Sequence, residues 1–433
     1  MRIISDFHIH SRYSRACSPD LTPANIEKWA RIKGVNLVGT GDFTHPLWLA
    51  ELKTALEPAE EGFYKIKNQK SNIKNLREGQ LVRFILSTEI ACIYSQGEKL
   101  RRIHLVVLFP SFVAVEKFNK TLETHGGKLG SDGRPILGMN SQEVLQYALD
   151  ADEEALMIPA HAWTPYFGIF GSKSGFDSVE ECFGEMTKYI YAIETGLSSD
   201  PAMNWRVSDT DKFAIVSGSD SHSLSRIGRE ANVMEIPEGQ FTYQEFFRIL
   251  KDRDRERFKF TIEFFPEEGK YHLDGHAPCS FSCEPEQTKK YHGECPKCGK
   301  KLTIGVMSRV QKLADRPEGF MPDKAVPQKH LVPLEEVLAD CVGVGAKSKS
   351  VQDLYAKLIE KAGSEFAVIL DLPIEELGEI GGEVVAEAVK RVREEKVNKV
   401  AGYDGVYGII RVFSDGEREK MLEKESGRQD SLF

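Results

Sequence analysis

His8-Ile9-His10 sets two imidazoles at alternate positions of a short run that begins at Ile3. On a strand alternate residues face the same way, so both rings can point at one ion. Asp220-Ser221-His222 repeats the alternation with a carboxylate and an imidazole, and Glu89 is placed to bridge two ions. Asp42, His161 and Glu194 end other runs, and His104 begins one. Imidazole with carboxylate suits zinc, manganese or iron. Clustered ions lower the pKa of bound water and clamp the attacking and leaving oxygens of phosphoryl transfer. The chemistry implied is metal-dependent hydrolysis of a phosphoester. Taken singly, each residue also reads as a core histidine with a satisfied hydrogen bond or as a buried salt-bridge partner. Burying so many ionisable groups at one rim without an ion would be costly. No Ser–His–Asp arrangement or phosphate-cradling P-loop competes.

The elements that must position these groups follow one rhythm from residue 1 to about 245. Short apolar runs at 3–10, 36–42, 84–89, 103–109, 155–161, 189–194 and 213–220 end in polar residues, usually followed by a helical pattern. One helix starts with Thr22 as N-cap and Pro23 at the first helical position, and stops near Gly34. Strands alternating with helices imply an α/β fold with a mainly parallel sheet, open or closed into a barrel. In a parallel barrel the C-terminal strand ends share one rim, so residues remote in sequence converge there.

The 433 residues exceed one ordinary domain, and 41% apolar content suits a soluble globular chain. No signal peptide is visible and no run nears the ~20 apolar residues that span a bilayer, so a cytoplasmic protein without membrane contact is expected. The net charge of −9 argues against nucleic acid only on average, because a local basic face can coexist with it.

Four of eight cysteines crowd together as Cys279-x-x-x-Cys283 and Cys295-x-x-Cys298, a spacing that predicts structural zinc. Such a site is coordinatively closed and holds shape. Cys17, Cys92, Cys182 and Cys341 read as free thiols. Lys289, Lys290, Lys297, Lys300, Lys301, Arg309 and Lys312 surround the cluster and read either as a solvated face or as phosphate contacts. Downstream, glycine turns at 343–345 and 378–382 interrupt helical patterns. They look like helix-hairpin-helix turns, whose amides can hold a DNA phosphate, although hairpins also need glycine for geometry alone. Four segments result: a hydrolase domain 1–245, a zinc-binding domain 246–305, a helical DNA-binding region 306–412 and a tail 413–433.

His8-Ile9-His10-Ser11, Gly41-Asp42, Glu89, His104, His161 and Gly218-Ser219-Asp220-Ser221-His222 resemble the ordered motifs of the polymerase-and-histidinol-phosphatase (PHP) superfamily. That resemblance implies a distorted (β/α)7 barrel with up to three metals. His8, His10, Glu89 and Asp220 would hold one ion and Glu89, His104 and His161 another. His222 with residues near Asp42 would serve a third. The chain departs from the pattern at Phe43, where the family often has a histidine, with His45 two residues later. Arg15 and Ala16 stand where another histidine is common.

Gln429, Ser431, Leu432 and Phe433 resemble the bacterial sliding-clamp binding motif. A PHP barrel, a four-cysteine zinc element, a helical region and such a tail, in this order, resemble the endonuclease Q family. That resemblance implies a monomeric, nucleoid-associated endonuclease that cuts damaged DNA 5′ to deaminated bases or abasic sites, without a glycosylase step. Asp220 and His222 would be catalytic. Zinc would fill the cysteine site and the barrel site, with Mg²⁺ or Mn²⁺ as an alternative in the barrel. Lesion choice would need the base extruded into a pocket. Trp163, Tyr166 and Phe167, directly after His161, are candidates for it, with ordinary loop packing as the other reading. Arg226 and Arg229 are candidate phosphate contacts. A small-molecule PHP phosphatase and a non-catalytic, clamp-tethered scaffold are the competing readings.

Overall fold

A computed structural model describes residues 1–67, 81–421 and 423. The clamp-like residues Gln429, Ser431, Leu432 and Phe433 lie outside the described residues.

Seven strands form the barrel wall: β1 (Arg2–Asp6), β2 (Leu37–Gly39), β3 (Arg83–Gln96), β4 (Lys99–Phe109), β5 (Leu156–Pro159), β6 (Ala192–Glu194) and β7 (Ala214–Val216). β1, β2 and β3 pair in parallel. β4 folds back on β3 as a long antiparallel hairpin, and β5 pairs antiparallel with β4. β6 and β7 are parallel. β5 meets β6 through Ala162 N–H donating to Glu194 O at 2.8 Å. β7 returns to β1 only at the rim, through the Ile9–Ser221 bridge and His10 N–H on Ser221 O. The missing regular ladder at that seam is the distortion of the barrel. There β1 pairs instead with Ala231–Glu235, which pairs with Phe258–Glu263.

The strands are buried on both faces, as the apolar runs demand. Phe7, Ile85, Val106, Ile158, Ala192 and Val216 meet in one cluster inside the wall. Amphipathic helices cover the outside. Thr22 caps helix Pro23–Lys33 through Asn25 N–H, and Gly34 ends it at φ 89°, as read from the sequence.

Two departures matter. The sheet runs past residue 245: Phe258–Glu263 belongs to it, and Gln328–His330 adds a parallel edge strand. The cysteine element is therefore an insertion between two strands of the sheet's extension. Helices Leu334–Val342, Lys349–Ala362, Ile374–Gly381 and Glu383–Arg393 form two hairpins packed on the barrel. Lys33 Nζ and Glu365 Oε2, both buried, pair at 2.7 Å across that contact. Removing one partner of such a pair costs about 3–5 kcal/mol. No helix among the described residues is long and apolar enough to cross a membrane.

Candidate metal centre and cavity

His8 and His10 leave β1 with their rings on the barrel interior, and both are buried. Glu89 lies mid-strand in β3 opposite Val106. Because β4 runs antiparallel, its N-terminal end is the one that reaches the rim. That direction brings His104 to Glu89, with Nδ1 2.6 Å from Oε1. His161 Nε2 lies 3.1 Å from the same oxygen. The other oxygen, Oε2, lies 3.3 Å from His10 Nε2 and 3.7 Å from His8 Nε2. Asp220 Oδ1 lies 3.0 Å from His10 Nε2. Two groups result, His8–His10–Glu89–Asp220 and Glu89–His104–His161, each with ligand atoms within 4.8 Å of one another. Glu89 belongs to both.

Backbone geometry is spent on this convergence. Asp42 (φ 48°), His161 (φ 31°) and Asp220 (φ 45°) all hold left-handed conformations, which cost energy outside glycine. Asp6 accepts from Ser219 N–H at 3.1 Å and Gly228 N–H at 2.8 Å, fixing the turn that carries Asp220. A Cβ at Gly218 would meet Glu194 Oε1 at 2.1 Å, so only glycine fits there.

The donor set fits divalent ions. His8 Nε2 is a buried nitrogen with no hydrogen-bond partner, and it faces Glu89 and Asp220. Burial pushes the His8 imidazole down, but Glu194 and Glu89 outweigh it and hold the pKa well above the usual value. His10 behaves alike through Asp42 and Asp220. Burial raises Glu89 and Asp220, yet their cationic neighbours hold both well below the carboxylate range. Protons thus stand where cations are called for, and a metal would displace them. Burial lowers His104 to about 4, leaving it neutral as a ligand must be.

The remaining candidates sit around these groups. Glu194 accepts His161 N–H at 2.8 Å and faces His8 Nδ1 at 2.9 Å. Asp42 faces His10 Nδ1 at 2.9 Å and accepts from Ser11 and Ser14. Both orient a histidine from behind, a contact that fixes tautomer and ring. His222 lies beside His10, ring to ring at 4.6 Å, with Nδ1 2.8 Å from Asp220 O. His45 is not gathered in: its ring stacks on Tyr13 at 4.4 Å.

The rim opens into a cavity of about 840 Å³ lined by His104, His161, Asp220, His222, Tyr166, Phe167, Tyr271, Tyr407, Arg134, Arg226, Arg229 and Lys270, among others. Phe167 lies against His104, the rings tilted with centres 4.2 Å apart. Trp163 is not part of the lining: it is buried, and its indole N–H donates to Asn204 Oδ1. Its apolar bulk is worth more in the core. Arg309 is likewise no surface cation: it is buried, holding Phe170 O, Phe176 O and Asp177. The sequence reading missed Arg134, Tyr271 and Tyr407. Only the topology brings them to the cavity.

The cysteine element contains a second kind of cluster. It joins His276, Cys279, Cys295 and Cys298, not Cys283. In the hairpin of Asp274–His276 with Phe281–Cys283, His276 sits at the turn end with Cys279. Cys283 pairs opposite Asp274 at the far end, and its Sγ contacts Thr288 Oγ1 at 3.2 Å. The gathered set is thus three cysteines and a histidine, with the fourth cysteine of the sequence spacing beside it.

Fold and rim together define a PHP-type barrel with two metal-capable groups that share Glu89. The MJ0043 C-terminal domain model matches residues 333–396, the four-helix segment. MJ0043 of Methanocaldococcus jannaschii is 30% identical over 281 residues, 63% of this chain and 35% of that protein, so the match spans about a third of that relative. YqxK of Bacillus subtilis is 29% identical over 421 residues, 95% of this chain and 99% of that protein. The lesion-specific endonuclease PfuEndoQ from Pyrococcus furiosus has a structure similar at TM-score 0.82 and 31% identity, covering 98% of this chain and 99% of that one. Endonuclease Q in complex with a 27-mer duplex carrying an abasic lesion at the active site matches at TM-score 0.82 and 32% identity, covering 96% and 98%. The chain belongs to the endonuclease Q family.

Proposed function

We propose that this protein is a metal-dependent endodeoxyribonuclease that hydrolyses the phosphodiester 5′ to uracil, hypoxanthine, xanthine or an abasic site. The observation that carries the reading is the pair of ligand groups sharing Glu89, open to a cavity whose other walls are aromatic and cationic. The whole-length likeness to a nuclease in complex with lesion DNA supports it.

Ions held by His8, His10, Glu89 and Asp220, and by Glu89, His104 and His161, would supply activated water and charge neutralisation at the phosphate. Glu194 and Asp42 keep His8 and His10 aimed. Tyr166, half-exposed in the cavity, and Phe167 offer faces on which an extruded base stacks. Arg226 and Arg229 line the same space; Arg226 is held by Glu336 and Arg229 by Ser219 O. Zinc at the His276–Cys279–Cys295–Cys298 cluster would set the shape of the inserted element. The 429–433 tail would tether the enzyme to a sliding clamp on the chromosome.

End-labelled DNA with one deoxyuridine, an undamaged control and the Asp220→Asn variant test this with Mg²⁺ or Mn²⁺. One cut immediately 5′ to uracil, lost in the variant, is expected. Intact DNA with hydrolysis of small phosphomonoesters would instead make the protein a phosphatase.

A further inference from the structure

Glu89 Oε2 has a cationic neighbour that the metal scheme does not use: Arg134 Nη1 at 3.0 Å. Among the described residues no other arginine or lysine forms an ion pair with a residue of the two rim groups. Arg134 arrives on a loop built to deliver it. Gly133 N–H donates to Tyr13 O, Arg134 N–H to Asp132 Oδ1, and Ala91 N–H to Pro135 O. A Cβ at Gly133 would meet Asp42 Oδ2 and Ser14 Oγ at 2.4 Å, so the loop presses directly on the residues behind His10. The guanidinium is a quarter exposed and lines the cavity.

Charge makes this placement informative. Glu89 and Asp220 stand in the two groups, with Glu194 and Asp42 behind their histidines. Two divalent ions would match these four carboxylates charge for charge. Arg134 is then a surplus cation beside the two ions, in a cavity wall that also carries Arg226, Arg229 and Lys270 against Glu268, where repulsion is poorly screened. A phosphodiester brings the one negative charge that balances it. A planar fork of donors suits phosphate oxygens.

We infer that Arg134 is a catalytic residue that grips a non-bridging oxygen of the scissile phosphate, an inference that rests on the phosphodiester reading above. Hydrolysis joins the oxygen of water to phosphorus and breaks one bond from phosphorus to a sugar oxygen. One water proton ends on that sugar oxygen and the other on the new phosphate monoester. Arg134 stabilises the negative charge on the non-bridging oxygens during this exchange.

Arg134→Gln and Arg134→Lys test the role on two substrates, abasic DNA and bis(p-nitrophenyl) phosphate. With Gln, both rates should fall about 10²–10³-fold, the usual loss for one charge-stabilising donor. Lys should recover part, keeping the charge without the fork. Metal content by plasma emission should equal wild type, and inorganic phosphate should bind the metal-loaded variant at least tenfold more weakly by calorimetry. Metal content falling in step with activity would overturn the inference, since Arg134 would then only hold Glu89. Wild-type rates and phosphate affinity in the Gln variant would overturn it too. A wild-type protein that splits the small diester but leaves abasic DNA intact would sink the DNA reading alone, and the small diester would still read Arg134.

Discussion

The barrel rim and the cysteine element are both metal-capable, yet they are built in opposite ways. The rim draws ligands from five separated places, at residues 8–10, 89, 104, 161 and 220, and opens into a large cavity. The element draws its set from residues 276–298 alone. Ligands contributed by a whole barrel can be held rigidly and still leave positions open for substrate. Ligands from one short segment can wrap an ion completely and fold the segment. The first arrangement serves reaction, the second shape.

Glu89→Gln should break this comparison most sharply, because Glu89 serves both rim groups. Cutting of damaged DNA should fall by about 10³-fold or more, as for other groups that stabilise transition-state charge. Metal analysis should lose the rim ions and keep the zinc of the cysteine element. Retained rim ions would show that Glu89 is not shared.

His276→Ala against Cys283→Ala sharpens the other half. His276→Ala should release the element's zinc and lower its melting point, while hydrolysis of bis(p-nitrophenyl) phosphate stays near wild type. Cys283→Ala should keep the zinc, because its thiol packs against Thr288. The reverse pattern would restore a four-cysteine site.

Glu194→Gln and Asp42→Asn come next. Each touches a ligand histidine from behind. Loss of such a contact typically weakens metal affinity 10–100-fold. Competition with a chelator should show that loss, with activity restored at high metal concentration.

These distinctions were unequally legible in sequence. His8, His10, Glu89 and Asp220 stand at or near the ends of apolar runs, and strand periodicity is enough to aim them inward. His104 was ambiguous because run order does not reveal strand direction. The β3–β4 hairpin, read as two parallel strands, turns its position from anomalous to required. Cys283 falls outside the gathered set because spacing counts residues and not register. Arg134 carried no signal, since an arginine in a polar loop has no periodicity. Trp163 shared a loop with Tyr166 and Phe167, but a buried partner for its indole N–H decided its place.

A third arrangement of imidazole and carboxylate isolates what makes the rim metal-capable. His330 lies buried on the edge strand Gln328–His330. Its Nε2 faces Asp200 Oδ2 and its Nδ1 faces Glu395 Oε1, each at 3.2 Å. The two acids approach opposite ring nitrogens, so no common point exists for an ion, and a proton serves instead. Burial lowers the His330 pKa, but hydrogen bonds to Asp200 and Glu395 outweigh it and raise it to about 10. A histidine raised above its unfolded value near 6.5 stabilises the fold fully below that pH and loses its contribution as pH rises toward 10. Buried Glu263 is raised to about 8, first by its burial, and sheds its proton within the same window. The melting temperature should therefore decline from pH 6.5 to 10, with a shallower slope in His330→Gln and no change in bound metal. A slope unchanged in that variant would mean that His330 is neutral in the fold, and that its two acids are neutralised otherwise.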